Sequence, residues 1–304
     1  MNNIIETKQL TRRYGRLEAV HDLTLAIPAG SVFALLGPNG AGKTTTIKLL
    51  MNLLVPTAGE ARVLGVDSRQ LGEAQRAQIG YVSENQQLPL WMTVRQLLDY
   101  CRPFYPTWDR ELERRLLAQF ELPEDRKLKN LSRGMLMKAA LLSSLAYRPK
   151  LLVLDEPFSG LDPLVRDEFV RGILEVSEHG EWTVFVSSHD IEDVERLCDW
   201  VAVIDTGRLQ FTEPTELLLG RFRRMEVTLP DNGGKIDAPP NWLELARAGN
   251  LVRFIETRYE RETTERACRE RFPNGAIMAY PMTLREIFIT LARTGRKTQK
   301  GIIA

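Results

Sequence analysis

Apolar and polar positions alternate over Ile4–Leu10 and again over Leu17–Ile27, with Tyr14-Gly15 between them and Pro28-Ala29-Gly30 behind them. A period of two turns one face of each segment to a core, so both predict strands at the start of a sheet, paired antiparallel. The pattern then changes. Ser31–Leu36 (SVFALL) is a short continuous apolar run, as a strand covered on both faces needs. It leads straight into GPNGAGKTTTIKLLMNLL, where Ile47, Leu50, Met51 and Leu54 recur at helical spacing. Leu151–Leu154 (LLVL) and Thr183–Val186 (TVFV) repeat the short apolar run, and helical periodicity fills Val165–Val176 between them. Strand, helix and strand in this order predict an α/β core with a mostly parallel sheet, entered through an antiparallel β subdomain.

From about residue 92 to 148 no strand pattern is present, and Val94–Tyr100, Arg110–Phe120 and Met135–Tyr147 all carry helical periodicity. This predicts an inserted helical subdomain. Val201–Phe211 reads as a hairpin turning at Thr206-Gly207, and Pro214–Gly220 as a short helix. Beyond Arg221 lie strand-like RMEVTL and LVRFIE, a loop over Pro230–Pro240, and helices over Thr263–Phe272 and Thr283–Arg293. The closing GRKTQKGIIA is expected to fray. A chain of 304 residues exceeds what one core usually serves. The division expected is a large domain over 1–220 and a small α+β domain over 221–304.

Composition narrows the class. With 43% apolar and 27% charged residues the chain is an ordinary globular protein rather than a disordered or collagenous one. The 41 basic and 40 acidic residues leave a net charge of +1, which removes a bulk electrostatic case for nucleic acid, and none is expected as a partner. Arg221, Arg223 and Arg224 then read as a solvated or salt-bridged face. Cys101, Cys198 and Cys268 show no metal-ligand spacing and suit the reduced thiols of a cytosolic protein. No run approaches the ~18 apolar residues of a membrane span, and MNNIIETKQL lacks the apolar core of a signal peptide.

Gly37-Pro38-Asn39-Gly40-Ala41-Gly42-Lys43-Thr44, followed by Thr45, matches GxxxxGK[ST], the phosphate-binding loop. Its glycines let backbone N–H groups turn inward around phosphates, Lys43 meets the β and γ oxygens, and the Thr44 hydroxyl suits Mg²⁺. The loop lies after an apolar strand and before a helix, where that chemistry requires it. LLVLDEP supplies Asp155 to hold the metal and Glu156 to polarise an attacking water.

With these residues the chain closely resembles the ATP-binding subunits of ABC transporters over roughly residues 3 to 220. Leu131-Ser132-Arg133-Gly134-Met135 is similar to the family's signature motif LSGGQ, Ser159-Gly160-Leu161-Asp162 to its D-loop, and Ser188-His189-Asp190 contains its switch histidine. Tyr14 stands where an aromatic stacks on adenine. The resemblance implies a P-loop ABC-type ATPase core, with ATP and Mg²⁺ as its ligands. It also implies a head-to-tail homodimer, in which Ser132 and Gly134 of one copy meet ATP on the other. Arg133 and Met135 depart from the signature. Where many relatives have a metal-sensing glutamine, this chain presents Glu84, with Gln86 and Gln87 just after it; Glu84 is taken as the third metal-site residue.

Leu88–Val94 lies where relatives receive a coupling helix, and it reads either as an apolar docking patch or as a hydrophobic staple. Pro281–Phe288 resembles the ending of drug, antibiotic-resistance and sodium exporter ATPases. The function implied is an ATP-hydrolysing subunit of an ABC exporter, cytoplasmic and held at the membrane by a separately encoded permease. The alternative is a soluble ABC-type ATPase that remodels a macromolecule.

Overall fold

A computed structural model of the chain describes residues 2–177, 182–192, 194–230 and 238–301. It divides into two units, Met1–Thr212 and Glu213–Ala304. The first begins with the antiparallel pair β1 (Asn3–Tyr14) and β2 (Leu17–Pro28), longer than the alternation alone predicts. β3 (Val32–Leu36) leads through the glycine loop into α1 (Lys43–Leu50). β4 (Ala58–Val63) and β5 (Val66–Asp67) extend the first sheet to the order β2-β1-β4-β5, and α2 (Glu73–Arg76) precedes β6 (Ile79–Ser83). The expected helical insertion follows as α3 (Val94–Cys101), α4 (Arg110–Gln119) and α5 (Arg133–Leu145). The chain then returns through β7 (Leu151–Asp155), α6 (Pro163–Ser177), β8 (Thr183–Ser188), β9 (Trp200–Asp205) and β10 (Arg208–Pro214).

The second sheet has the order β10-β9-β3-β8-β7-β6. Its β9-β3-β8-β7-β6 contacts are all parallel. Every residue of β3, β7 and β8 is buried, which is why these strands read as unbroken apolar runs. Each buried Val, Leu or Phe contributes about 1.5–3 kcal/mol. The parallel arrangement has one consequence for chemistry: the residues that follow β6, β3, β7 and β8 all emerge at the same edge of the sheet.

The helices start where local hydrogen bonds allow. Thr93 and Gln96 form a capping box on α3, Asp109 caps α4, and the Ser132 hydroxyl accepts from Met135 N at 3.2 Å to cap α5. In contrast α1 is preceded by Gly42 and has no side-chain cap, so its first N–H groups keep their capacity for a ligand. Leu54, counted in the helical periodicity, lies beyond the end of α1 and packs against the core between the two sheets.

The second unit opens with α7 (Thr215–Arg221), and then β11 (Arg223–Thr228), β12 (Trp242–Ala248), β13 (Leu251–Glu256), α8 (Arg261–Arg271), β14 (Ala276–Pro281) and α9 (Leu284–Gly301). Its antiparallel sheet has the order β12-β13-β11-β14, so α8 carries the chain from β13 across β11 to β14. The boundary falls eight residues before the expected one for a visible reason. Arg221 donates to Thr257 O, just after β13, at 2.8 Å, which ties α7 to this sheet, and it also donates to Glu213 at 2.6 and 2.9 Å. Arg224 pairs with Glu286 at 3.1 Å, and Arg223 donates to Leu219 O at 2.6 Å, so the basic cluster is a salt-bridged face.

Two strands of this unit, β12 and β14, have no counterpart in the hydrophobic pattern. Both are sheet edges; Trp242 is the only buried residue of β12, and β14 has none. The Trp242 ring stacks 3.9 Å from that of Phe254, and its Nε1 donates to the buried Glu256 at 2.9 Å. The expected fraying of the tail is not seen as far as Gly301, because its Arg, Lys and Gln residues favour helix and extend α9. Most of the loop over Pro230–Pro240 and the last three residues lie outside the described residues.

β6 was also hidden from the pattern, because Gly80 interrupts its apolar run. The glycine is a packing requirement: a Cβ there would stand 2.8 Å from Ser144 O on α5 and 2.8 Å from Leu152 Cδ1. Tyr147 Oη and Ser144 Oγ donate to Ile79 O and Tyr81 O across the same contact. Gly80→Ala is therefore expected to destabilise the protein by about 1–3 kcal/mol through overpacking, read as a lowered urea midpoint.

Candidate active site

Gly42 sets the loop. It sits at φ +107°, and a Cβ on it would lie 2.3 Å from Ala19 O, so only glycine fits both the dihedral and the space. Behind it α1 begins with Lys43, whose side chain is only 5% exposed. The Lys43 ammonium donates to Gly37 O at 2.7 Å and Pro38 O at 3.1 Å, and lies 2.9 Å from Glu156 Oε1. The last contact is an ion pair off the hydrogen-bonding direction, and Glu156 Oε1 is buried without a hydrogen bond. A buried ammonium shared among three oxygens, beside an orphaned carboxylate oxygen, fits a site built to receive another anion.

Asp155 closes β7, 5% exposed. Its Oδ1 accepts from Thr44 Oγ1 at 3.0 Å and from Ser187 Oγ at 2.8 Å. Burial pushes its carboxyl above the ordinary aspartate range, against the pull of those two hydrogen bonds, with the Glu156 charge adding to the rise. A desolvated carboxylate next to a threonine hydroxyl is a donor set that suits a hard divalent cation.

Glu156 stands at φ +52°, a strained position for a residue with a side chain. Its amide donates to Ser187 Oγ at 3.0 Å, and its Oε2 lies 2.7 Å from His189 Nδ1 and accepts from His189 N at 3.3 Å. The β8 end thus clamps both acids: Ser187 bonds Asp155 and Glu156, and His189 bonds Glu156. Ser187 was missed in the sequence, where the one signal was a polar pair closing an otherwise apolar strand.

A cleft of about 390 Å³ runs along the glycine loop to Glu156, lined among others by Tyr14, Asn39, Gly40, Thr45 and Glu84. Tyr14 is 44% exposed at the end of β1, with the Arg12 guanidinium 4.7 Å from its ring centroid. Ala41 is buried beneath the loop. Glu84 follows β6 and is bound by Arg133 at 2.6 Å and Ser159 at 2.8 Å. Ser132 and Gly134 do not line the cleft of their own chain: Ser132 caps α5, and Gly134 packs against Val165. Of Leu88–Val94, Met92 and Val94 are buried just before and at the start of α3, while Leu90 and Trp91 are exposed. Among the described residues no helix is long and apolar enough to cross a membrane.

Residues 20–159 match the family described as ABC transporter. An uncharacterized ABC transporter ATP-binding protein of Synechocystis is 33% identical, the match covering 79% of this chain and 71% of that one. The Nod factor export ATP-binding protein I of Neorhizobium galegae is 31% identical over 97% of this chain and 86% of its own. A solved structure of an ATP-binding subunit of an ABC transporter superposes with a TM-score of 0.64 at 29% identity, over 71% of this chain and 91% of that one. The glycine loop on α1, the two acids closing β7 and these likenesses agree, and the chain belongs to the ABC transporter family as an ATP-binding, ATP-hydrolysing subunit.

Proposed function

We propose that the cleft hydrolyses ATP by the residues gathered at the sheet edge, and that the energy drives export through a separate permease. The observation that carries the chemistry is the Lys43–Glu156 contact of 2.9 Å. In this reading the β and γ phosphates lie on the N–H groups of residues 37–45 and draw the Lys43 ammonium from Glu156. Tyr14 supplies a face for adenine. Thr44 and Asp155 would hold Mg²⁺, with Glu84 on the wall of the same cleft; when bound, the ion neutralises phosphate charge.

Released from Lys43, Glu156 accepts the proton of a water that attacks the γ phosphorus. The new P–O bond forms as the β,γ-bridging bond breaks and ADP leaves. His189 keeps the carboxylate aimed from the Oε2 side. Ser132 and Gly134, turned away from their own cleft, suit a second copy arranged head to tail, each signature facing the partner's nucleotide. The 221–304 domain is assigned an accessory or dimerising role.

Export rests on the export relative and on the resemblance of Pro281–Phe288. Leu90 and Trp91, exposed together, are the surface assigned to the permease, which would hold the subunit on the cytoplasmic face of the membrane. Affinity purification from gently solubilised membranes tests this: a stoichiometric polytopic membrane protein with raised ATPase activity is expected, and a soluble partner alone would overturn it.

Two substitutions test the chemistry. Glu156→Gln is expected to slow turnover by about 10²–10⁴-fold. It should also leave nucleotide affinity equal or higher, because it removes the competing anion from Lys43. Sizing chromatography with ATP and Mg²⁺ should then show a dimer; monomer alone would count against the head-to-tail arrangement. Lys43→Ala is expected to weaken ATP affinity by about tenfold or more, measured by calorimetry, and an unchanged affinity would remove its assigned role.

A further inference from the structure

Three separate segments converge on one carboxylate. Glu84 follows β6, Arg133 opens α5, and Ser159 and Gly160 lie in the turn after β7. Arg133 Nη2 donates to Glu84 Oε1 at 2.6 Å and Ser159 Oγ donates to the same oxygen at 2.8 Å. Gly160, at φ +65°, leaves room for the guanidinium: a Cβ there would come within 2.8 Å of Arg133 Nη1. The arginine, half exposed, is therefore seated between a glycine and an acid.

The electrostatics give this seat a purpose. Glu84 shares the wall of the cleft with Lys43 and Glu156. Its Oε1 accepts from both the Arg133 guanidinium and the Ser159 hydroxyl, contacts that favour the charged carboxylate. A carboxylate in this wall, where nothing offsets its charge, disfavours a polyphosphate in the cleft, since like charges repel. An arginine bonded to it cancels the charge and fixes its orientation at once.

We propose that Arg133 is a positioning residue that neutralises and orients Glu84, so that the cleft admits the nucleotide's phosphates in spite of an acid in its wall. This rests on the ATPase reading of the cleft. Two departures from the family pattern, an arginine within the signature and an acid in place of the glutamine, then form one compensated pair.

A double-mutant cycle tests it, with the β,γ-imido analogue of ATP and Mg²⁺ as the calorimetric probe. Arg133→Ala is expected to weaken binding at least about fivefold. In the Glu84→Gln background the same substitution should change affinity less than twofold, because no charge is left to cancel. Arg133→Lys, which keeps the charge without the planar fork, should fall between and serves as the comparison if the alanine variant fails to fold. Equal loss in both backgrounds, or no loss in either, would overturn the pairing. A wild-type chain that binds no nucleotide would instead remove the ATPase reading itself.

Discussion

Lys43 begins α1 almost wholly out of water, and three oxygens stand around its ammonium. Two are carbonyls of the glycine loop, Gly37 and Pro38, and the third is Glu156 at the far side of the sheet edge. A buried cation cannot go unpartnered, so this contact binds the loop after β3 to the turn after β7. Much of what surrounds it serves that junction. Gly42 accepts a dihedral forbidding to other residues, Glu156 is held at positive φ, and Ser187 anchors both acids from β8.

The parallel sheet makes that junction possible. Four apolar strands, β6, β3, β8 and β7, run in one direction, so the polar residues that end them are delivered to a common edge. Their burial on both faces stiffens the platform. The helical insertion meets the platform through α5, whose close approach to β6 requires Gly80. α5 also carries Arg133, and the bond from Arg133 to Glu84 brings the signature segment into electrical contact with the cleft. Substrate charge, sheet edge and signature are thereby parts of one network.

Much of this was legible without coordinates. Alternation marked β1 and β2, apolar runs marked β3, β7 and β8, and helical periodicity marked α3 to α6, because each reflects a face that must be buried. GPNGAGKT and LLVLDEP stood out by residue type and order, and the structure brings Thr44 of the first to Asp155 of the second. Segments with little to bury stayed hidden: β12 and β14 are sheet edges, and β6 is broken by a glycine. The domain boundary falls before α7 because a hydrogen bond from Arg221 to Thr257 O, far along the chain, joins that short helix to the second unit's sheet.

The sequence by itself determined the α/β class and the places of the glycine loop and the pair of acids, since these depend on local period and on side-chain types at fixed spacing. Tertiary structure alone decided which oxygens share Lys43, that Ser187 joins Asp155 to Glu156, and that Arg133 cancels Glu84. Apart from the Lys43 bonds to Gly37 and Pro38, such contacts join residues dozens of positions apart. Their distances follow from strand order and helix packing, and no local pattern in the chain encodes either.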